Sequence, residues 1–124
     1  MEKTLEIAGK KVTFRKSGAT MLAYKRETGR EFYSDLSTFL DCVKLDAKKQ
    51  PILDASGQPE IDFSKFDMDV MYSMIHVMAR GADRNVPSDL LDWLDEFEDF
   101  DVIGVFCALV PMLSKEMEID RKNG

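Results

Sequence analysis

Residues that carry catalytic chemistry are scarce in this chain of 124 residues, which has one histidine, one tryptophan and two cysteines. His76 lies between Ile75 and Val77 in a helical pattern, where a hydrogen-bonded structural histidine is more common than a catalytic one. The motifs GxSxG, HExxH and GxxxxGK[ST] are missing, so three common catalytic mechanisms lack their residues. We therefore expect a protein that is not an enzyme and that needs no cofactor.

Cysteine pairs and long apolar runs are also missing. Cys42 and Cys107 are far apart and belong to no CxxC or Cys/His ligand set, which favours a reducing cytoplasm. The N-terminus carries charge from its second residue, which excludes a signal peptide, and the longest uncharged run, residues 102–114, is too short to cross a bilayer. We expect a cytoplasmic protein without a membrane segment.

Charge is unevenly distributed along the chain, whose formal net charge is -6. Residues 1–50 carry 11 Lys and Arg against 7 Asp and Glu, whereas residues 51–124 carry 6 against 16. Because affinity for nucleic acids depends on basic residues that displace counterions, the acidic half would be repelled by phosphate. We expect no nucleic-acid partner.

The hydrophobic pattern changes from alternation to helical spacing after residue 16. Alternating apolar residues on both sides of a turn at residues 8–10 predict a β-hairpin over residues 3–15. Five helices are predicted next. The first runs from a cap at Ser17 to a stop at Gly29, the second from Ser34 to about Ala47, and the third over 67–80, with Asp67 and Asp69 favourable at its positive N-terminal end and Gly81 closing it. The fourth covers 90–97 with a cap at Ser88, and the fifth begins near Asp101, with Pro111 as a kink or an early end. The predicted fold is one domain, mainly α with an N-terminal β-hairpin (α+β), in which residues 17–118 form a small helical bundle.

Residues 48–64 interrupt the helical pattern. Pro51, Ser56-Gly57 and Pro59 punctuate two short apolar pairs, so the sequence predicts a loop or an irregular hairpin. No internal repeat is expected anywhere in the chain.

Two groups of side chains are candidates for partner binding. The first is a set of methionines on the third predicted helix, because flexible methionines suit partners of varied shape. The second is a set of aromatic residues in and beside an acidic stretch, which would suit a basic amphipathic helix. The candidate residues are Met71, Met74, Met78, Trp93, Phe97, Phe100 and Phe106. Core filling is the alternative for both groups.

The acidic stretch also raises the alternative of a metal-dependent enzyme. Its carboxylates are Asp92, Asp95, Glu96, Glu98, Asp99 and Asp101. A calcium loop needs a fixed spacing, and the one loop that approaches it, from Asp54, has Pro59 in place of the turn glycine and Lys65 in place of the bidentate glutamate. A solvated helix face is the favoured interpretation, and no metal is expected.

The order of the elements is distinctive. A hairpin at 5–14 is followed by Ser17-Gly18-Ala19-Thr20, a stop at Thr28-Gly29, the segment 32–36, a helix at 69–79, the segment 91–97 and an apolar helix at 101–113. This order resembles the small tail assembly chaperones of long-tailed bacteriophages and prophages of Gram-positive bacteria. The resemblance covers nearly the whole chain.

The resemblance implies a non-enzymatic protein of the host cytoplasm. Such chaperones coat the long helical tape-measure protein, recruit tail-tube subunits and are absent from the finished virion. A protein that binds long helices needs an apolar groove with an acidic or mixed rim. The alternative is a phage structural, connector or adaptor protein that is retained in the virion, and a homo-oligomer is possible for either.

Overall fold

The chain begins with the predicted β-hairpin. The computed structural model describes the backbone of residues 1–123 and the side chains of residues 1–113. Strands β1 (Glu2–Ile7) and β2 (Lys10–Arg15) pair antiparallel, with Glu2 opposite Arg15 and Ile7 opposite Lys10. The two-residue turn places Ala8 at φ 50° and Gly9 at φ 81°, as a tight hairpin turn requires. Its inner face buries Ile7 and Phe14, whereas charged and threonine side chains cover the outer face.

Five helices follow, which confirms a mainly helical α+β fold. They are α1 (Thr20–Thr28), α2 (Phe32–Cys42), α3 (Met68–Ala82), α4 (Leu90–Leu94) and α5 (Val102–Asn123). Within residues 1–123, no helix has the length and apolar character that a bilayer crossing requires. The predicted end of the helical part, residue 118, is not a boundary, because α5 continues to Asn123.

Helix ends differ from the predictions where another group satisfies the terminal backbone. Asp67, which the sequence predicts only as a favourable charge at the start of the third helix, caps α3, since its side chain accepts the N–H of Asp69 at 2.9 Å. Ser17 precedes α1 by one turn instead of capping it, and Asp89 caps α4 in place of Ser88. Gly81 lies inside α3, which ends one residue later at Ala82.

The predicted ends of two further helices are also wrong. Helix α2 begins at Phe32 and stops at Cys42, so that Val43 and Ala47 lie outside it. The fourth helix ends at Leu94 and not at Phe97. Helix α5 passes through Pro111, which does not end it.

Helix α3 is the centre of the core. It packs against β2, α1, α4 and α5, and five of its side chains are 0 % exposed, including Met71, Met74 and Met78. Phe39 of α2 joins Phe106 of α5 with ring centroids 4.6 Å apart. The buried hydrophobic residues form one cluster, which runs from the hairpin to Leu113.

Residues 43–66 contain three copies of an eight-residue repeat, so the expectation that the chain has no internal repeat is wrong. The copies are VKLDAKKQ (43–50), PILDASGQ (51–58) and PEIDFSKF (59–66). Leu, Leu and Ile stand at the third position, and aspartate stands at the fourth position of every copy. We call this segment the octapeptide ring.

Backbone hydrogen bonds close the three repeats into a ring. The N–H of Ile52 donates to the C=O of Lys44 (2.9 Å), that of Glu60 to Ile52 (2.8 Å), and that of Lys44 to Glu60 (2.9 Å). Third and first positions of successive repeats form β-bridges, namely Leu45 with Pro51, Leu53 with Pro59 and Ile61 with Val43. Proline fits the first position because these bonds use the N–H groups of the second position.

Each aspartate at the fourth position of the repeat holds the turn that follows it. Asp54 accepts the N–H groups of Ser56 (2.9 Å) and Gln58 (3.1 Å), and Asp46 accepts those of Lys48 and Gln50 in the same way. The ring is therefore an ordered pseudo-threefold element over residues 43–66, in place of the loop or irregular hairpin predicted over 48–64. The recurrence of proline, aspartate and glutamine at intervals of eight residues is the sequence signal for this element.

Candidate partner-binding surface

The three methionines predicted to bind a partner lie inside the core. Met71, Met74 and Met78 on α3 are each 0 % exposed and belong to the central buried cluster. Their positions match the alternative of core filling, because helices and strands surround α3 on several sides. In this conformation they offer no surface to a partner.

Three of the four predicted aromatic residues are buried as well. Trp93 lies edge-on to Phe97 and Phe100 at centroid distances of 5.5 Å each, and Phe106 packs on Phe39. Only Phe100 is partly exposed. The Lys10 side chain lies 5.5 Å from the centre of the Phe97 ring and donates to the C=O of Glu96 (2.6 Å), which ties the hairpin to the segment after α4.

His76 is buried and packed within the fold. Its Nε2 lies 2.8 Å from the C=O of Pro87, and its ring is tilted against Trp93 at 5.4 Å. The residue is 4 % exposed. The hydrogen bond ties α3 to the loop before α4.

The acidic stretch does not assemble a metal site among the side chains that the structure describes. No group of three or more His, Cys, Asp or Glu residues there is arranged to hold an ion. Two carboxylates in and beside the stretch act on helix ends instead. Asp89, just before it, accepts the N–H of Asp92 (3.2 Å), and Asp101 accepts that of Gly104 (3.0 Å) at the start of α5.

Exposed apolar side chains are concentrated on the octapeptide ring. Among residues with described side chains, eight large hydrophobic residues are exposed, and four of them belong to the ring: Leu45, Ile52, Leu53 and Phe63. Leu45 is 53 % exposed and Leu53 is 58 % exposed. Sequence reasoning missed these residues because the sequence predicts a loop or an irregular hairpin over most of the ring.

An apolar groove of about 300 Å³ lies between the ring, α2 and α5. Its lining residues are Phe39, Leu40, Val43, Leu45, Lys49, Pro51, Pro59, Cys107, Val110 and Pro111. Lys49 is the one charged residue of this lining. We call the groove and the exposed side chains of Leu45, Ile52, Leu53 and Phe63 the groove surface.

Helix α5 contributes a backbone feature to this groove. Because Pro111 has no N–H, the C=O of Cys107 lacks its usual donor four residues later. Both residues line the groove. Burial raises the pKa of the Cys107 thiol, so this thiol is neutral at physiological pH.

The ring is fixed at both of its ends. The N–H of Asp62 donates to the C=O of Cys42 (2.8 Å), so the chain enters and leaves the ring at adjacent points. Phe66 is buried beside Phe39, with ring centroids 5.4 Å apart. On the other side, Gln58 contacts the carboxylate of Asp101 (3.4 Å) close to Gly104, where a side chain would collide with both residues.

A charged network holds α1 and α2 together away from the groove. The Tyr24 hydroxyl donates to Asp35 (2.6 Å), and Arg30 binds the same carboxylate through two nitrogens at 2.8 and 2.7 Å. Burial raises the pKa of Asp35, but the hydrogen bonds from Arg30 and Tyr24 outweigh burial and lower it below its ordinary value. Burial and the hydrogen bond to Asp35 raise the pKa of Tyr24. This network is structural, since all three polar groups are satisfied by one another.

Comparisons of this chain with protein-family models, with curated proteins and with solved structures find no match. Its function is therefore inferred from the groove surface and from the order of its elements.

Proposed function

We propose that this protein is a non-enzymatic tail assembly chaperone of a phage or prophage, acting in the host cytoplasm. In this role it binds the tape-measure protein through the groove surface and helps to recruit tail-tube subunits. The observation that carries the proposal is the apolar groove, which Leu45 lines, together with three further exposed large apolar side chains on the same octapeptide ring.

The groove surface suits the apolar face of a helix. Exposed apolar residues that cluster beside a groove are typical of protein-binding sites, and a helix in a groove places its apolar residues at intervals of three and four. The groove walls are anchored by the packing of Phe39 on Phe106 and Phe66. A surface that is already ordered loses little entropy on binding.

The order of elements supports the more specific role. A β-hairpin followed by five helices is the arrangement on which the resemblance to tail assembly chaperones rests, and the fold has this arrangement. A chaperone for a long helical client needs a binding surface and no catalytic residues. A site made of apolar side chains supplies such a binding surface.

The proposal is tested by co-expressing the protein with the tape-measure protein of the same gene cluster. Wild-type protein is expected to keep the tape-measure protein in the supernatant and to co-purify with it. Leu53→Asp and Leu45→Asp place a charge on the groove surface and are expected to reduce co-purification at least about tenfold.

Leu22→Asp is the matched control, because Leu22 is equally exposed at 53 % but lies on α1, outside the groove surface. This variant should bind like the wild type. The proposal fails if wild-type protein neither associates with the tape-measure protein nor increases its solubility. The assignment of binding to the groove surface is wrong if all three variants bind the tape-measure protein equally.

A further inference from the structure

Strand β1 has an open edge. The amine of Met1 donates to the C=O of Lys16 (2.9 Å), and the N–H of Lys16 donates back to the C=O of Met1 (2.8 Å). From this pair and the register of the hairpin, the odd-numbered residues of β1 bond to β2, and the even-numbered residues direct their N–H and C=O groups away from it. The outward groups belong to Glu2, Thr4 and Glu6, and they have no hydrogen-bond partner among the residues that the structure describes.

The other edge of the hairpin is occupied by helix α3 and by a side-chain bond. Helix α3 packs on β2, and a Cβ added at its Gly81 would lie 3.6 Å from the C=O of Arg15, which points outward from β2. Lys10 reaches from β2 to the C=O of Glu96 after α4 (2.6 Å). The edge of β1 is therefore the one that has space for a further strand.

A cleft of about 400 Å³ follows the open edge, between β1 and the first turns of α5. Leu5, Ile7 and Val105 contribute apolar side chains to its lining. The side chain of Lys3 donates to the C=O of Ala108 (2.8 Å) and so ties β1 to α5 beside the cleft. A strand that is added to β1 can place the side chains of one of its faces in this cleft.

The charged side chains that line the cleft are all acidic. They are Glu6, Asp99 and Asp101, and no lysine or arginine belongs to the lining. Within the described part of the chain, Glu6 and Asp99 are exposed and form no ion pair, although Lys11 stands opposite Glu6 on β2. Lys3, the other nearby cation, is bonded to a backbone carbonyl. The cleft therefore favours a cationic partner.

We propose that β1 receives an extended segment of a partner protein as a third strand, with apolar side chains in the cleft and Lys or Arg side chains beside Glu6 and Asp99. The unpaired backbone groups of β1 select an extended chain, because a strand supplies N–H and C=O groups at the matching spacing. The carboxylates then select the side chains of that strand.

A second copy of this chain does not fit the same edge. Pairing β1 with β1 of another copy would bring Glu2 and Glu6 of the two strands together, and like charges on facing strands destabilise a sheet. The cleft would receive further glutamates next to Asp99. The occupant that the edge fits is a basic segment of a different protein.

This inference goes beyond the proposed function and does not depend on it. The cleft lining and the groove surface have no residue in common, so the two sites can fail separately. Leu53→Asp, which should lose the client helix, is expected to bind a basic strand like the wild type.

Binding of synthetic eight-residue peptides tests the inference. The probe alternates lysine and valine and carries a fluorophore, and we expect the wild-type protein to bind it with a Kd on the order of 100 µM. A peptide with glutamate in place of every lysine should bind at least about tenfold more weakly. A peptide with proline in place of every valine keeps the charge but cannot form a strand ladder, and it should also bind at least about tenfold more weakly.

The matched protein variants are at Thr4, whose N–H points outward. Thr4→Pro removes that N–H without removing a hydrogen bond between β1 and β2, and it should weaken binding at least about tenfold. Thr4→Ala loses the same side-chain contact with Thr13 (2.8 Å) but keeps the N–H, so it should bind like the wild type. Circular dichroism establishes that each variant is folded.

A double charge reversal keeps the test valid even if Thr4→Pro does not fold. Glu6→Lys combined with Asp99→Lys leaves the backbone edge intact and should reverse the preference, so that the glutamate–valine peptide binds more tightly than the lysine–valine peptide. An unchanged preference for the lysine–valine peptide overturns the assignment of the site.

Amide hydrogen exchange distinguishes strand addition from nonspecific attraction. In the free protein, the N–H groups of Thr4 and Glu6 should exchange rapidly, and saturating lysine–valine peptide should protect both. The inference is overturned if these amides stay unprotected, if the lysine–proline peptide binds as tightly as the probe, or if folded Thr4→Pro binds normally. Protection that rises with protein concentration in the absence of peptide would assign the edge to a second copy and would also overturn it.

Discussion

Helix α3 and the octapeptide ring are both rich in apolar residues, yet they have opposite environments. On α3, Met71, Met74 and Met78 are fully buried, whereas Leu45 and Leu53 of the ring are more than half exposed. Residue type therefore does not decide which apolar side chains are available to a partner. The number of elements that pack around each segment decides it.

The two regions also obtain their order from different interactions. Helix α3 is surrounded by β2, α1, α4 and α5, so burial of apolar surface dominates its stability. The ring contributes few buried side chains and is held by hydrogen bonds between its repeats and by its aspartates. We expect substitutions in α3 to affect global unfolding and substitutions in the ring to act locally.

The largest expected effect is on α3. Met74→Ala removes a fully buried side chain and should lower the free energy of unfolding by about 2–5 kcal/mol, because a cavity remains in the core. Urea unfolding, followed by the fluorescence of Trp93, measures this change. Met68→Ala on the same helix is the control, since Met68 is 37 % exposed and should cost much less. Equal losses at both positions would contradict the assigned burial.

The next effect concerns the network at Asp35. Asp35→Asn should lower the free energy of unfolding by about 1.5–3 kcal/mol at pH 7, because Arg30 and Tyr24 lose a charged acceptor. The folded-state pKa of Asp35 is lowered, so its contribution is complete above the unfolded pKa of about 3.9 and is lost as the pH falls through the folded pKa. The unfolding curves of both proteins should therefore begin to converge as the pH falls below about 4 and should meet below the folded-state pKa of Asp35.

Asp41→Asn is the control for this measurement, because Asp41 is an exposed residue of the same helix. Its unfolding curves should follow those of the wild type at every pH. A difference between wild type and Asp35→Asn that persists unchanged at low pH would show that the asparagine acts through packing and not through lost charge.

Sequence reasoning succeeded where a pattern is local and failed where tertiary packing decides. Alternation at Leu5, Ile7, Val12 and Phe14 was sufficient for the hairpin, and helical spacing was sufficient for the existence of all five helices. Val43 also fitted the spacing of α2, but it bridges to Ile61, which is 18 residues away, and so the helix stops at Cys42.

The candidate site was harder to predict because burial depends on neighbours that are distant in sequence. Nothing in the spacing of Met74 shows that several elements surround it. Leu53, in contrast, lies in a segment punctuated by prolines, where an exposed apolar site was not expected. The eight-residue recurrence of aspartate at 46, 54 and 62 was visible in the sequence and would have indicated ordered turns.

A smaller and local effect is expected within the ring. Asp54→Ala removes the acceptor of the Ser56 and Gln58 N–H groups, so amide hydrogen exchange should become faster in residues 52–60. Exchange within α3 should not change, and the melting temperature should stay within about 4 °C of the wild-type value. Faster exchange in α3 would mean that the ring and the core unfold together.

The pH dependence of the same turn gives a related test. The hydrogen bond from the Ser56 hydroxyl (2.5 Å) and those from the backbone lower the pKa of Asp54. The carboxylate therefore keeps its acceptor role below the pH at which an ordinary aspartate protonates. In an NMR titration, the side-chain carboxyl signal of Asp54 should change at lower pH than that of an aspartate in the unfolded chain.

The smallest expected effect on stability is at Leu53, an exposed side chain of the octapeptide ring. Leu53→Ser should change the free energy of unfolding by less than about 0.5 kcal/mol, because a side chain that is 58 % exposed has little burial to lose. Leu36→Ser, at a fully buried position on α2, should cost several times more. If Leu53→Ser instead destabilises the protein like a core substitution, the ring is part of the core, and its exposed leucines need no partner. An unchanged stability together with lost client binding would mean that Leu53 is retained for contact with another protein.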